Sequence, residues 1–142
     1  MAFVTPSVTV DQKEGICMEV SGRGLTFYVD QPVENGGTNK GFSPVEVLLG
    51  SLGACLNMMT LHLADQKNIP ISHLKVQVEG DLAMDGQPRP GFQQIRLHYD
   101  VESTAPAAQI QALIEEAEAH CPVGDTLRNG TQLTLNGVDV SA

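Results

Sequence analysis

Apolar and polar positions alternate along residues 7 to 30 in the manner of half-buried strands. Three short runs carry the pattern: Ser7-Val8-Thr9-Val10, Ile16-Cys17-Met18-Glu19-Val20 and Leu25-Thr26-Phe27-Tyr28-Val29. Lys13-Glu14-Gly15 and Ser21-Gly22-Arg23-Gly24 lie between them with hairpin-turn composition, so an antiparallel meander is expected. A glycine-rich loop, residues 31 to 42, follows. No Gly-Lys-Ser/Thr succeeds it, so it is not a phosphate-binding loop. The pattern then changes period. From Ser43 to Leu63 apolar residues occupy nearly every helical face, and Ser43 at N-cap, Pro44 at N1 and Glu46 at N3 form a helix start with a capping box. This helix is expected to run from Pro44 to about Gln66, closed by Lys67-Asn68-Ile69-Pro70.

Apolarity all round means burial on every side or a membrane span. Asn57 and His62 interrupt the run, and no stretch reaches the roughly 18 uninterrupted apolar residues of a span, so a central buried helix is expected. Gly50, Gly53 and Ala54 make one side small, which favours close approach of a second helix, from this chain or from a partner copy. Alternation returns over residues 74 to 82 and 92 to 101, with a long hairpin loop around Gly86, Pro88 and Pro90. Residues 106 to 119 form an amphipathic helix with Ile110, Leu113, Ile114 and Ala117 inside. Pro122 starts another helix, which Asn129-Gly130 ends, and Thr131-Gln132-Leu133-Thr134-Leu135 reads as a last strand. The order βββ-α-ββ-α-α-β describes one α+β domain over residues 1–142.

Composition narrows the function classes. A formal charge of −9, with 17 acidic and 8 scattered basic residues, argues against nucleic acid and anionic membranes as partners. Tryptophan is absent and aromatics are few, which argues against base-stacking platforms. The first residues carry no basic segment followed by an apolar one, and a cytoplasmic location is the expectation. Three cysteines in a reducing compartment are expected as thiols. No Cys/His spacing matches a zinc site, so neither metal nor cofactor is expected.

The cysteines differ in their local chemistry. Cys17, in a strand beside Met18, reads as a packing or surface thiol. Cys55 lies mid-helix among leucines and methionines, where burial without a cation raises a thiol pKa and leaves it inert. A positive or hydrogen-bonding group from elsewhere has to reach it. Cys121 stands at the N-cap of a helix, where free amides and the macrodipole favour a thiolate; reactive thiol and simple cap are both open. His62 shares a helix face with Cys55 and Met59 and reads as a core residue. Glu46 is explained by the capping box.

The helix motif from Ser43 to Cys55, followed much later by His120-Cys121-Pro122-Val123, resembles the OsmC/Ohr family of osmotically inducible and organic hydroperoxide resistance proteins. The resemblance covers nearly the whole chain. It implies an OsmC-like fold with antiparallel sheets around a long central buried helix, in an intertwined homodimer. It also implies a thiol peroxidase for small hydrophobic hydroperoxides. Cys55 would then be the attacking thiolate, Cys121 the resolving thiol and Glu46 part of the catalytic set, with a dithiol reductant of lipoyl type. Two positions depart from the family peroxidases. Val45 stands where they carry a glutamate, with Glu46 one step round the helix, and Lys13-Glu14-Gly15 stands where Arg-Asp-Gly is expected. Lys13 or Arg23 would have to replace the arginine, and lysine has no two-pronged donor. The alternative is a non-enzymatic OsmC-like protein that binds a small ligand in the apolar dimer cleft.

Overall fold

A computed structural model describes residues 2–83 and 85–142. The elements are β1 (Thr9–Gln12), β2 (Met18–Gly22), β3 (Leu25–Val29), a 3-10 turn (Val33–Asn35), α1 (Pro44–Gln66), β4 (His73–Leu82), β5 (Phe92–Glu102), α2 (Ala107–His120) and α3 (Pro122–Asn129). The expected α+β class and antiparallel sheets are present. The chain divides into two compact units, residues 1–51 and 52–142.

In the first unit β1, β2 and β3 form an antiparallel meander. The β2–β3 turn places Arg23 at φ +40° and Gly24 at φ +83°, two consecutive positive values of the kind a tight two-residue hairpin needs. Strand β1 begins two residues later than the alternation suggests. Its register is set by the turn that follows it, where Lys13 N–H donates to Cys17 O and pairing starts at Gln12↔Met18. The glycine-rich loop is organised by Asp30, which is buried. Its carboxylate accepts from the N–H groups of Gln31, Thr38 and Lys40 and from Thr38 Oγ1, at 2.6 to 3.3 Å. Those donors, Thr38 first, hold the carboxyl well below the ordinary carboxylate range.

In the second unit β4 and β5 pair antiparallel from His73↔Glu102 to Leu82↔Phe92, with an irregularity at Asp81/Leu82. Val78, Ile95, Leu97 and Tyr99 pack from this hairpin against Leu52 and Leu56 of α1 and against Cys121. Leu56, 1% exposed, contributes about 1.5–3 kcal/mol by its burial. A second cluster, Ala64, Ile69 and Leu113 with Ile110, fastens α2 to the end of α1.

One expectation is narrowed and two need correction. Within the single chain α1 buries one stripe, Leu52, Gly53, Leu56, Thr60 and Ala64, whereas Met58 is 70% and Leu61 46% exposed. Within residues 52–142 the β4–β5 hairpin covers the stripe at Leu52 and Leu56, and α2 covers its end at Ala64. By length and hydropathy α1 also qualifies as a membrane span, but its stripe packed on β4–β5 is the behaviour of a core helix. The close neighbours of Gly53 are not a second helix. A methyl there would lie 3.0 Å from Val78 and 3.2 Å from Val76, while one at Gly50 would meet nothing within 4 Å. Finally, residues 131–135 form no strand. The alternation is there, but the segment pairs with no strand among the described residues, and Leu133 and Leu135 are 91% and 82% exposed.

Candidate active site

Pro122 dictates the backbone at Cys121. A residue before proline is pushed out of the helical region, and Cys121 takes φ −75° and ψ 117°, ending α2 and capping α3 at once. The cysteine is fully buried at this break. Its Sγ accepts from Gly124 N–H at 3.3 Å, and its carbonyl accepts from Asp125 N–H at 2.8 Å. The N-cap geometry expected of Cys121 is therefore formed.

Cys55 reaches the same place from α1. It lies one turn beyond Leu52, on the flank of the buried stripe, and packs against the Leu52–Leu56–Cys121 cluster together with Val123. The thiols are 66 positions apart in sequence, and the fold brings them together as free, unbridged cysteines. Burial pushes the Cys55 thiol up from its ordinary value. The Cys121 sulfhydryl adds to the rise, and the backbone N–H of Val123 works against it. No cation contributes.

Glu46 occupies the capping box. Its Oε1 accepts from Ser43 N–H at 2.9 Å, and its own N–H donates to Ser43 Oγ at 3.4 Å. The Ser43 amide and hydroxyl hold its carboxyl below the ordinary value. In the same unit, Lys13 is engaged with Asp11 at 3.0 Å and Glu19 at 3.5 Å, and Arg23 sits exposed in its turn. His62 is exposed. Among the described residues no cluster of three or more His, Cys, Asp or Glu side chains is placed to hold a metal.

Residues 37–136 match the OsmC-like protein family. The chain belongs to that family. A hydroperoxide reductase of Mycoplasma pneumoniae is 31% identical over 102 residues, 70% of this chain and 71% of that protein. The crystal structure of an OsmC-like protein from Mycoplasma pneumoniae superimposes with a TM-score of 0.81 at 25% identity, covering 89% of each chain. An organic hydroperoxide resistance protein from Legionella pneumophila shares the fold at 21% identity and a TM-score of 0.70, over 92% of this chain and 93% of that one.

Two members of this OsmC-like site escape the sequence patterns. Arg128 stands two turns after Cys121 on α3. A methyl built on Gly124 would lie 3.5 Å from its Nη2 and 3.6 Å from Cys121 Cβ, so the guanidinium covers the first turn of α3. It is tied down by donating to Glu118 O at 3.3 Å. A seven-residue spacing on a helix was the available signal. Tyr99 is the other. It reads as one more inward residue of β5, yet its hydroxyl is buried with no hydrogen-bond partner among the described residues.

Proposed function

We propose that this OsmC-like chain is a cysteine-based peroxidase that reduces organic hydroperoxides. The observation that carries the reading is the packing of two free thiols, Cys55 and Cys121, in one apolar cluster. The hydroperoxide reductase relative supports it. The Cys55 thiolate attacks the terminal peroxide oxygen; a sulfur–oxygen bond forms, the oxygen–oxygen bond breaks, and the alcohol leaves. Cys121 then attacks the Cys55 sulfenic acid, closing a disulfide and releasing water. A dithiol reductant, of lipoyl type, reopens it by exchange through a mixed disulfide. The apolar walls, Leu52, Leu56, Leu97 and Val123, favour alkyl or aryl hydroperoxides over hydrogen peroxide. In this scheme Glu46 contributes by holding the start of α1 through its cap, in a cytoplasmic protein that needs no cofactor.

The working form we propose is a homodimer. The exposed apolar side chains of α1, Met58 and Leu61, and of the C-terminal segment, Leu133, Leu135, Val138 and Val140, support it. Sedimentation should give twice the 15.2-kDa chain mass; a monomer at micromolar concentration would refute it.

The test of activity is consumption of cumene hydroperoxide with dihydrolipoamide, measured against pH. Only the thiolate reacts, and the Cys55 thiol is raised. The rate should therefore climb between pH 7 and 9, approaching about tenfold per unit, because each unit below a thiol pKa cuts the thiolate fraction tenfold. No consumption at any pH overturns the peroxidase. A plateau already reached below pH 7 contradicts the raised thiol and means that a cation reaches Cys55. A second reading, a small-ligand carrier, draws on the groove of about 610 Å³ between β5 and α2, lined by Leu97, Tyr99 and Ile114 and by the polar Gln111, Glu115 and Glu118. A small molecule retained in native mass spectra, with no peroxide consumed, would favour it.

A further inference from the structure

Helix α2 ends at His120 and α3 starts at Pro122, so the backbone between them turns on Cys121 alone. In an unbroken helix the carbonyl of Glu118 would accept from the N–H four positions on. That position is Pro122, which has no N–H. Arg128 supplies a donor instead: from the last turn of α3 its Nη2 reaches Glu118 O at 3.3 Å. A cation is also favoured there, because the last carbonyls of a helix carry the negative end of its dipole.

Little else holds α3. Gly124 is its one buried residue, Val123 is half-buried and the rest are exposed. The bond to Glu118 is the only hydrogen bond from α3 to another helix or strand among the described residues. The segment that follows, residues 131–135, pairs with no strand among them. What α3 holds in turn is the sulfur of Cys121, which is 0% exposed and accepts from Gly124 N–H at 3.3 Å. A swing of α3 about Cys121 carries that N–H away and leaves a buried thiol without its donor. The guanidinium lies against Gly124 itself, with Nη2 3.5 Å and Nη1 3.7 Å from where a methyl there would stand.

We propose that Arg128 is a positioning residue: by taking the place of the hydrogen bond that Pro122 denies Glu118, it keeps Gly124 N–H on Cys121 Sγ while this thiol attacks the oxidised Cys55. The inference rests on the peroxidase reading above. In that step Cys121 gives up its proton, and its thiolate attacks the sulfenic sulfur of Cys55. The sulfur–sulfur bond forms and the sulfur–oxygen bond breaks. The departing hydroxide takes up the proton that Cys121 released and leaves as water, while Arg128 keeps its own protons. Away from water a thiolate needs its donors, and one N–H···S bond at a helix start is the contact that orients and stabilises it here. The other ionisable groups near Cys121 do not replace that bond. Cys55 and Tyr99 pack against it from α1 and β5 and are neutral in this step, the phenol because burial pushes it up to about 12. Glu118 and Asp125, about one turn away on either side, oppose a negative charge, and His120 is exposed.

The experiment compares the full-length chain with Arg128→Met, which removes the donors and the charge, and with Arg128→Lys, which restores a charged donor. Arg128 is exposed, so both variants should fold. After one equivalent of cumene hydroperoxide, dimedone quenching times the loss of the Cys55 sulfenic acid and mass spectrometry the gain of the disulfide. Arg128→Met should close the disulfide about tenfold more slowly at pH 7, the scale of one hydrogen bond involving a charged group. Arg128→Lys should recover most of that rate. A second readout needs no peroxide: thiolate absorbance at 240 nm, with Cys17 and Cys55 both replaced by serine, titrates Cys121 alone. Arg128→Met should raise that midpoint by about one unit, the same tenfold, and Arg128→Lys by less. Unchanged closure overturns the proposal. So does slow closure with an unmoved midpoint, which a loosened fold alone would give, and so does slow closure that Arg128→Lys does not relieve. If the unsubstituted chain forms no disulfide, the peroxidase reading fails, while the titration still decides the role of Arg128.

Discussion

Cys55→Ser should abolish hydroperoxide consumption, a fall of roughly 10³-fold or more, because it removes the thiol assigned the attack on the peroxide and leaves Cys121 only its resolving role. The substitution removes little volume at a half-buried position, so the fold should survive. Cys121→Ser should behave differently. Serine is a good N-cap, so α3 should keep its start, with Gly124 N–H now donating to a hydroxyl. The first oxidation should still occur, but Cys55 sulfenic acid should accumulate, and turnover with a dithiol should stop after one equivalent. Cys17 should be indifferent. It is buried beside Asp30 in residues 1–51, its thiol raised by burial and by that carboxylate, and nothing assigns it a role. Stopped-flow peroxide assays on the three serine variants check the pattern. Retained turnover in Cys55→Ser would assign the chemistry elsewhere.

Gly41→Ala should give one of the two largest stability losses of any single added methyl, with Gly37→Ala the other. The new carbon would overlap the carbonyl oxygen of Tyr28, a backbone atom that cannot rotate aside. Next to it, Asp30 N–H donates to Phe42 O at 3.0 Å, and Asp30 in turn gathers the loop through Gln31, Thr38 and Lys40. Moving residue 41 therefore disturbs the anchor of the whole loop from 31 to 42. A loss of about 3 kcal/mol or more is expected, in the range where backbone clash is the usual cause. Gly137→Ala, where a methyl meets nothing within 4 Å, should stay within about 0.5 kcal/mol. Denaturant midpoints of the two variants decide between them. Equal midpoints would mean that the loop tolerates another path.

Helix α1 was legible in the sequence at both ends, because its limits are local chemistry: a capping box at Ser43 and Glu46, and a closing Asn68 at φ +57° before Pro70. The break at Cys121 was legible for the same reason, since a proline acts on its own neighbour. What depends on distant partners was not. Thr131–Leu135 has the alternation of a strand, but a strand exists only against another edge, and composition does not say where that edge is. Which face of α1 the rest of the chain covers was not legible, because all-round apolarity does not reveal which surface covers which side. Gly53 looked like a place for another helix, and the small surface is used instead by Val76 and Val78.

The site divides along the same line. Motifs picked out Cys55 and Cys121 one at a time, but their meeting is a property of the β4–β5 hairpin and the α2–α3 break that hold them against Leu52 and Leu56. Glu46 was legible as a cap, and its hydrogen bonds are those of a cap. Tyr99 was not legible, because an inward tyrosine looks like any core aromatic until its hydroxyl is seen without a partner.

The pairing of the two thiols is tested most directly by peptide mass spectrometry of the chain after one equivalent of cumene hydroperoxide, with free thiols alkylated before digestion. The peroxidase reading requires one intramolecular disulfide, Cys55 to Cys121, with Cys17 alkylated. Both Cys55 and Cys121 recovered as alkylated thiols, or a bridge that includes Cys17, would contradict it.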